Sequence, residues 1–310
     1  MKDIEFKCSI KGRYKIQILQ GGVIVTERPW ANNMILNQGK DWVLAGTRTF
    51  AASFTHCAVG TGTTPVAATD TGLTSEAATA RTSTYLTGSG NCGTSWVGQV
   101  GTMRRTFDFA LETTNQIYTE LGWSYTATKA DNLFSKTLIS GGSVTVLAEQ
   151  QLRVVYDVSI TCAPAGVQTA NLTVAGWGTP AGTWALQAYM FSEVSTGGTS
   201  GLDGLFEPVT TPVVGFYSGA CTLGSFRAAP TTGTRLGSAS GTWGTYTLGT
   251  FTRSVTFPYF SAASFASTDI RMLAYSKKYI GYNLAFRFDS PQTKLNTYRL
   301  RPNGYSITIS

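Results

Sequence analysis

The chain has 310 residues, of which 42% are hydrophobic and only 13% are charged, and its formal net charge is +7. The hydrophobic share is enough to bury a core, which excludes a disordered chain, and the apolar runs are shorter than the about 20 residues of a membrane-spanning helix. Charged residues make up about half the usual share of a soluble domain, so we expect much of the surface to be covered by neighbouring subunits.

The basic residues are scattered and form neither a basic tail nor a recognition helix, so no specific nucleic-acid partner is expected. Five cysteines lie far apart, without a C-x-x-C pair or a partnering histidine: Cys8, Cys57, Cys92, Cys162 and Cys221. This spacing argues against a disulfide framework and a zinc site, and no cofactor or metal is expected. The charged N-terminus lacks a signal-peptide pattern, which predicts a protein that stays in the cytoplasm until assembly.

Period-two alternation of apolar and polar residues predicts strands along the whole chain. The first three form a meander over residues 4–10, 13–19 and 22–28, broken at Gly12 and at Gly21–Gly22. One short helix is expected at 37–45, NQGKDWVLA, with Asn37 as its N-cap. Further strands are predicted at 104–111, 143–149, 152–161, 183–191, 253–260, 282–288 and 305–310. The fold class is therefore predicted to be all-β, with at most one or two short helices.

Two regions of the chain repeat each other in sequence. GTMRRTFDF (101–109) aligns with GTFTRSVTF (249–257), NLFSKTLIS (132–140) with NLAFRFDSP (283–291), and YDVSIT (156–161) with YSITIS (305–310). The shared order and spacing predict two tandem, duplicated β-sandwich-like modules, residues 1–161 and 162–310. CAPAG (162–166) is the expected joint, and a long Gly- and Pro-rich loop is expected at 197–212.

The segment AVGTGTTPVAATDTGLTSE, residues 58–76, has the glycines of a phosphate-binding loop. It lacks the Gly-Lys-Ser/Thr ending, and no helical pattern follows it. We therefore interpret it as scaffolding, in which Asp70 and Glu76 cap backbone amides or pair with Arg81. The sole histidine, His56, precedes Cys57, and neighbours on a strand point to opposite faces, so a structural histidine is expected.

Two sets of side chains are candidates for acting on or binding a polysaccharide. Asp108, Glu112 and Glu120 form the only local cluster of acids, and glycoside cleavage needs two carboxylates within about 5 to 9.5 Å. With 17 acids in the chain, charges at a strand end and a turn are the preferred interpretation. Trp177 and Trp184 flank WGTPAGTW and could stack on sugars, although burial in a core or an interface explains them as well.

The order of four segments resembles a module found in structural proteins of tailed-bacteriophage virions, in tails, tail fibres and baseplates. The segments are NMILNQGKDWVLAG (33–46), HCAVGTGTTPVAATDTGLTSE (56–76), FDFALETTNQIYTELGWSY (107–125) and NLFSKTLISGGSVTVLAEQQLRVVYDVSIT (132–161). The resemblance covers most of residues 33–161, and residues 285–310 resemble the closing strands of the same module. It departs at Trp123, where the module usually has an aliphatic residue, and we expect this ring at a glycan or subunit contact.

The resemblance implies a non-enzymatic building block of a virion, assembled in the host cytoplasm without membrane insertion. Its partners would be copies of itself, in a trimer or a hexameric ring, and other virion proteins. Three alternatives stay open: a receptor- or glycan-binding tip that uses Trp177, Trp184 and the 197–212 loop; a polysaccharide depolymerase that uses Asp108, Glu112 or Glu120; and a capsid decoration or head–tail connecting protein.

Overall fold

The computed structural model describes residues 4–45, 51–77, 81–82, 93–97, 100–129, 131–163, 167–171, 180–186, 211–223, 233–259, 268–277, 280–294, 301–302 and 304–310. In these ranges the chain is predominantly β-strand, which confirms the all-β prediction. Their helical elements are one α-helix, α1 (Asn37–Ala45), and a short 3-10 helix (Ala51–Phe54). Helix α1 has the bounds that the sequence predicts.

The chain divides into two compact units. Among the described residues, the N-terminal unit comprises 9–161, and the C-terminal unit comprises 4–8 together with those from 162 onward. The division between Thr161 and Cys162 falls where the sequence places the joint. Residues 4–8 belong to the C-terminal unit because they pair in parallel with the last strand of the chain, Ile4 opposite Tyr305 and Cys8 opposite Ile309.

Eleven strands begin in the first half of the chain, counted over the described residues: β1 (Ile4–Gln20), β2 (Val23–Glu27), β3 (Ala31–Ile35), β4 (His56–Gly60), β5 (Gly93–Val97), β6 (Val100–Leu111), β7 (Gln116–Tyr118), β8 (Glu120–Ser124), β9 (Leu133–Leu138), β10 (Val144–Val146) and β11 (Gln150–Ala163). In the N-terminal unit they are ordered β4-β8-β9-β3-β1-β11-β6-β5. Strand β2 pairs with the end of β1, and β7 pairs with β10.

Strand β1 is continuous, although the sequence predicts a break at Gly12. Its residues alternate strictly from 10 to 16: Ile10, Gly12, Tyr14 and Ile16 are buried, and the basic residues between them face outward. A Cβ atom at Gly12 would overlap the side chain of Asn33 and lie 2.8 Å from the Tyr156 hydroxyl. Gly12 therefore serves close packing within the sheet rather than a turn.

The core of the N-terminal unit is built around stacked aromatic rings. Trp123 and Tyr156 lie parallel with centroids 4.0 Å apart, and Phe54 meets Tyr156 edge-on at 5.7 Å. The Tyr156 hydroxyl shares a hydrogen bond of 2.8 Å with the Ser135 hydroxyl and accepts one of 3.3 Å from the Asn33 amide. Burial raises the pKa of Tyr156 far above its ordinary value, so the phenol stays neutral and rigidly placed.

The C-terminal unit contains nine further strands among its described residues: β12 (Val167–Asn171), β13 (Ala181–Leu186), β14 (Pro212–Ser218), β15 (Thr234–Ser240), β16 (Thr242–Trp243), β17 (Thr252–Thr256), β18 (Thr268–Lys277), β19 (Ile280–Lys294) and β20 (Tyr305–Ile309). Six of them form a sheet in the order β12-β13-β19-β18-β14-β15, and β16-β17-β20 form a second group. Phe216, Phe286 and Phe288 are fully buried in this unit. Pro212, expected at the end of a loop, instead begins β14.

The repeated segments 101–109 and 249–257 each lie between two antiparallel strands, but the registers of the strand pairing differ. The first lies in β6, between β5 and β11, and the second includes β17, between β16 and β20. Arg105 is opposite Tyr156, whereas the aligned Arg253 is opposite Ile307, two residues beyond the aligned Tyr305. The duplication of the modules stays a prediction.

Candidate interaction surface

Glu120 anchors the Gly- and Thr-rich segment that resembles a phosphate loop. Its carboxylate is fully buried, and its Oε1 accepts the backbone N–H groups of Gly62 at 3.0 Å and Ser75 at 2.7 Å. Its Oε2 accepts the N–H of Thr74 at 3.0 Å. The amides of this segment are therefore directed at an internal carboxylate, which already occupies the place that a phosphate would take.

Lys136 supplies the positive charge opposite Glu120. Its buried ammonium lies 3.8 Å from Glu120 Oε2 and donates at 3.1 Å to both Asp70 Oδ2 and the Thr74 hydroxyl. Asp70 Oδ2 also accepts the N–H of Ala67 at 3.2 Å. The same acidic residue thus caps a turn and holds the buried lysine, which confirms the scaffolding role that the sequence predicts for it.

Arg81 provides a second anchor for the same segment. It binds Glu76 through two hydrogen bonds, Nε to Oε1 at 2.8 Å and Nη2 to Oε2 at 2.9 Å, and it also donates to Ser124 and Asn132. Both side chains of the ion pair are nearly inaccessible to solvent. The predicted Glu76–Arg81 pair is therefore present, and its bidentate geometry is the strongest form of such a contact.

The anchored segment covers the outer edge of β4. Cys57 and Thr82 exchange two backbone hydrogen bonds of 2.9 Å, and the Ala77 N–H donates to the Val59 carbonyl at 2.9 Å. We call residues 61–77, together with Arg81 and Thr82, the strap. Because unpaired strand edges recruit other chains, the strap protects β4, and the segment is scaffolding.

All three acids of the predicted cluster are held by other side chains or by backbone amides. Asp108 forms a bidentate pair with Arg153, at 2.6 and 2.8 Å, and Glu112 accepts the Tyr118 hydroxyl at 2.7 Å. Glu120 is fully buried under the strap. Glu120 therefore faces no solvent from which a substrate or a hydrolytic water could reach it.

His56 and Cys57 lie on β4 and have different surroundings. Cys57 is fully buried, whereas His56 is partly exposed and its Nδ1 lies 3.0 Å from the Thr55 hydroxyl. Burial, with a smaller contribution from the Arg81 cation, lowers the pKa of His56. Burial raises the pKa of the Cys57 thiol well above its ordinary value. This thiol is therefore inert rather than nucleophilic.

The tryptophans proposed as contacts have three different outcomes. Trp123 is fully buried against Tyr156 and Tyr14, so the expectation that it contacts a glycan or a subunit is wrong. Trp184 lies on β13 opposite Phe286, and its side chain is outside the described part. Trp177 and residues 197–210 also lie outside the described residues.

Trp30, which is not among the tryptophans predicted as contacts, lies among outward-facing cations. The guanidinium carbons of Arg13 and Arg104 lie 4.4 and 5.2 Å from its ring centroid, and Lys15 Nζ lies at 5.7 Å. Both arginines donate to the buried carboxylate of Asp157, at 2.7 to 3.1 Å, and this bonding raises the pKa of Arg104. The alternation of basic residues before Trp30 is the signal that could have identified this cluster.

The hairpin of β1 and β2 exposes a run of aliphatic side chains. Gln20 pairs with Val23 across Gly21 and Gly22, whose φ angles of 56° and 82° suit a two-residue hairpin turn. Val23, Ile24 and Val25 are 66%, 45% and 50% exposed. We call these three side chains, which lie on both exposed faces of β2, the hairpin surface.

The open edge of β2 is poorly suited to pairing with another strand. Its register with β1 shifts between Ile18 and Leu19, so β2 contains a bulge. Glu27, paired with Lys15 at 3.0 Å, places a charge at the end of the strand, and Pro29 just beyond it has no N–H to donate. Bulges, charges and prolines all disfavour strand addition, so we expect the hairpin surface to make contact through its side chains.

A second exposed aliphatic group lies where β6, β7, β10 and β11 begin or end. Ile117 lies on β7 opposite Thr145 of β10, and Leu147 directly follows β10. Leu111 ends β6, and the following residue, Glu112, donates its N–H to the Gln150 carbonyl at 2.9 Å. Leu111, Ile117 and Leu147 are 53%, 56% and 47% exposed. We call these three side chains the strand-end surface.

Comparisons with protein-family models, with curated proteins and with solved structures gave no match for this chain. Within the described ranges, no helix is long and apolar enough to cross a membrane. Over the same residues, no cluster of three or more His, Cys, Asp or Glu side chains is arranged to hold a metal ion.

Proposed function

We propose that this protein is a non-enzymatic structural component of a tailed-phage virion. It belongs in the tail, the baseplate or a tail-attached fibre, where it contacts copies of itself and neighbouring virion proteins. The resemblance over most of residues 33–161 supports the virion assignment. A duplicated pair of β-sandwich-like modules would give each subunit two bodies with which to join its neighbours.

The observation that carries the assembly role is the exposure of two aliphatic groups on one unit, the hairpin surface and the strand-end surface. Three consecutive aliphatic residues exposed on one hairpin are more than the singly scattered side chains that need no explanation on an ordinary surface. Because the chain is only 13% charged, few ionic groups keep these surfaces apart in solution. Assembly would cover them.

A non-enzymatic role is supported by the engagement of the acids that a depolymerase would need. Asp108 is bound by Arg153, and Glu120 holds three backbone amides of the strap. A general acid or a nucleophile must reach its substrate, and these contacts use the carboxylates for structure instead.

Two measurements test the proposal. Sedimentation velocity over a range of concentrations should show the purified chain forming defined oligomers, and immunogold labelling of virions purified from the source lysate should place it on the tail. A protein that is monomeric at every concentration and absent from particles would refute the proposal. Shortening of host capsular polysaccharide during prolonged incubation would support the depolymerase instead.

A further inference from the structure

We propose that Lys136 and Asp70 of the N-terminal unit become joined by an intramolecular amide bond, with Glu120 as the group that moves the proton. The Lys136 ammonium donates to Asp70 Oδ2 at 3.1 Å, and Glu120 Oε2 lies 3.8 Å from the same nitrogen. The bond fastens the strap, which carries Asp70, to β9, which carries Lys136. This covalent modification goes beyond the proposed function and does not depend on it.

Burial of the lysine and of Glu120 shields the reacting amine from water. The side chains of Lys136 and Glu120 are 3% and 0% exposed, whereas that of Asp70 is 26% exposed. A lysine amine becomes an effective nucleophile when it is desolvated, and holding it against its target replaces a chance encounter with a fixed contact. The partly open carboxyl group of Asp70 gives the released water a path to solvent.

Further hydrogen bonds hold the three groups in this arrangement. The Thr74 hydroxyl accepts a second hydrogen bond from the Lys136 amine at 3.1 Å, and the Ala67 N–H donates to Asp70 Oδ2 at 3.2 Å. Both oxygens of Glu120 are fixed by backbone N–H groups of the strap. Because the carboxyl carbon of Asp70 is directly bonded to Oδ2, the amine needs only a small movement to reach that carbon.

The atoms and charges of the reaction balance without a co-reactant. Lys136 passes a proton along its hydrogen bond to Asp70 Oδ2, which leaves a neutral amine beside a neutral carboxyl group, since buried charges are costly. The nitrogen then attacks the carboxyl carbon and forms the new N–C bond. Glu120 Oε2 takes a proton from that nitrogen and returns it to Oδ2, so the bond from the carbon to Oδ2 breaks and water leaves. The products are an amide and a water molecule, and Glu120 is again a carboxylate.

The ion pair of Lys15 and Glu27 provides a control within the same chain. Lys15 Nζ and Glu27 Oε2 are 3.0 Å apart, as close as the atoms of Lys136 and Asp70, but the two side chains are 21% and 45% exposed. Glu27 also accepts the Gln17 amide, and the described residues place no second carboxylate at the Lys15 amine. This pair therefore has the contact distance without the burial and the proton carrier, and it should form no amide.

Mass spectrometry of the intact chain and of its tryptic peptides tests the bond on folded, purified protein that is denatured just before the measurement. The wild-type chain should be lighter than its sequence requires by the mass of one water molecule. Trypsin should fail to cleave after Lys136, and residues 49–81 and 130–153 should appear together as one branched peptide. The control peptide 16–28, released by cleavage after Lys15 and containing Glu27, should have its unmodified mass.

Three variants assign the roles of the reacting groups. Asp70→Ser removes the carboxyl group, Lys136→Arg removes the amine but keeps the positive charge, and Glu120→Gln removes the proton carrier. Each should have its full sequence mass, with folding checked by circular dichroism. Asp70 is partly exposed, so Asp70→Ser supplies a folded reference even where a buried substitution prevents folding.

The peptides also distinguish the amide from other losses of water. A folded wild-type chain of full mass that yields separate peptides 49–81 and 130–136 would overturn the proposal. A loss of water that leaves these peptides separate would overturn it as well, because cyclisation of an aspartate onto its own backbone loses water without forming a branch. A branched peptide from Glu120→Gln would overturn the role of Glu120, whereas a branched peptide confined to wild type would establish the bond and its three participants.

Discussion

Replacing Glu120 with Gln should release the strap without removing any side-chain volume. A glutamine oxygen at the Oε1 position still accepts the N–H groups of Gly62 and Ser75, which lie at 3.0 and 2.7 Å in the wild type. Its NH₂ group then faces the Thr74 N–H and the Lys136 ammonium, so donors meet donors. An unsatisfied buried donor costs about 1–3 kcal/mol, and the Lys136 ammonium keeps its closer carboxylate partner, Asp70 Oδ2 at 3.1 Å.

We therefore expect Glu120→Gln to destabilise the strap by about 1–3 kcal/mol, the cost of leaving buried donors without an acceptor. Hydrogen exchange of the Thr74 and Ser75 amides is the direct measurement, and at 1.4 kcal/mol per tenfold it should accelerate by roughly 5- to 100-fold. Glu149→Gln makes the same chemical change at an exposed position and should stay within about 0.5 kcal/mol of wild type. If both variants protect the strap amides as well as wild type does, the anchoring role of Glu120 is wrong.

Two further substitutions and one labelling experiment probe the strap and the strand that it covers. Arg81→Met leaves the Glu76 carboxylate buried without its bidentate partner, which should cost about 3–5 kcal/mol. Limited proteolysis within residues 61–77 should therefore become faster. An unchanged cleavage rate would contradict the role of Arg81 as the second anchor of the strap. The pKa of His56 lies below its ordinary value of 6.5 in the folded chain, so the unfolded chain binds the proton first and stability should fall as pH drops below about 6.5. His56→Asn should flatten that part of a urea-unfolding pH series, and an unchanged pH profile would count against it. Burial of the Cys57 thiol predicts that iodoacetamide labels it only after unfolding, and rapid labelling of the native chain would show that the strap opens readily.

Most strands of this chain can be predicted from its sequence, because many of them have one buried face and one solvent-exposed face and therefore alternate in polarity. In β1, the alternation of Ile10, Tyr14 and Ile16 with basic residues gives the strand and its orientation. Helix α1 was equally predictable from the sequence, since Asn37 marks its start. The Glu76–Arg81 pair was predictable because its two members lie five residues apart in a segment rich in turns.

Trp123 shows where the same reasoning fails. All five residues of β8 are buried, so the strand has no open face and no alternation to indicate the direction of each side chain. One of its faces is covered by the strap and the other by Tyr14 and Tyr156, which are distant in sequence. The Trp30 cluster was missed for a similar reason, because Arg104 reaches it only through the pairing of β6 with β11.

The N-terminal unit protects two strand edges in different ways, and the difference bears on how it assembles. The outer edge of β4 is covered by the strap, whereas β2 pairs only with β1 among the residues that the structure describes, and its bulge, Glu27 and Pro29 make its other edge unsuitable for pairing. A chain that joined its neighbours by adding strands would leave a regular edge open. Exposed aliphatic side chains next to a strand edge that is unsuited to pairing favour contacts made by side chains instead. Loss of the strap should therefore expose a strand edge that can pair with other chains: Glu120→Gln should form aggregates through the β4 edge that wild type does not form.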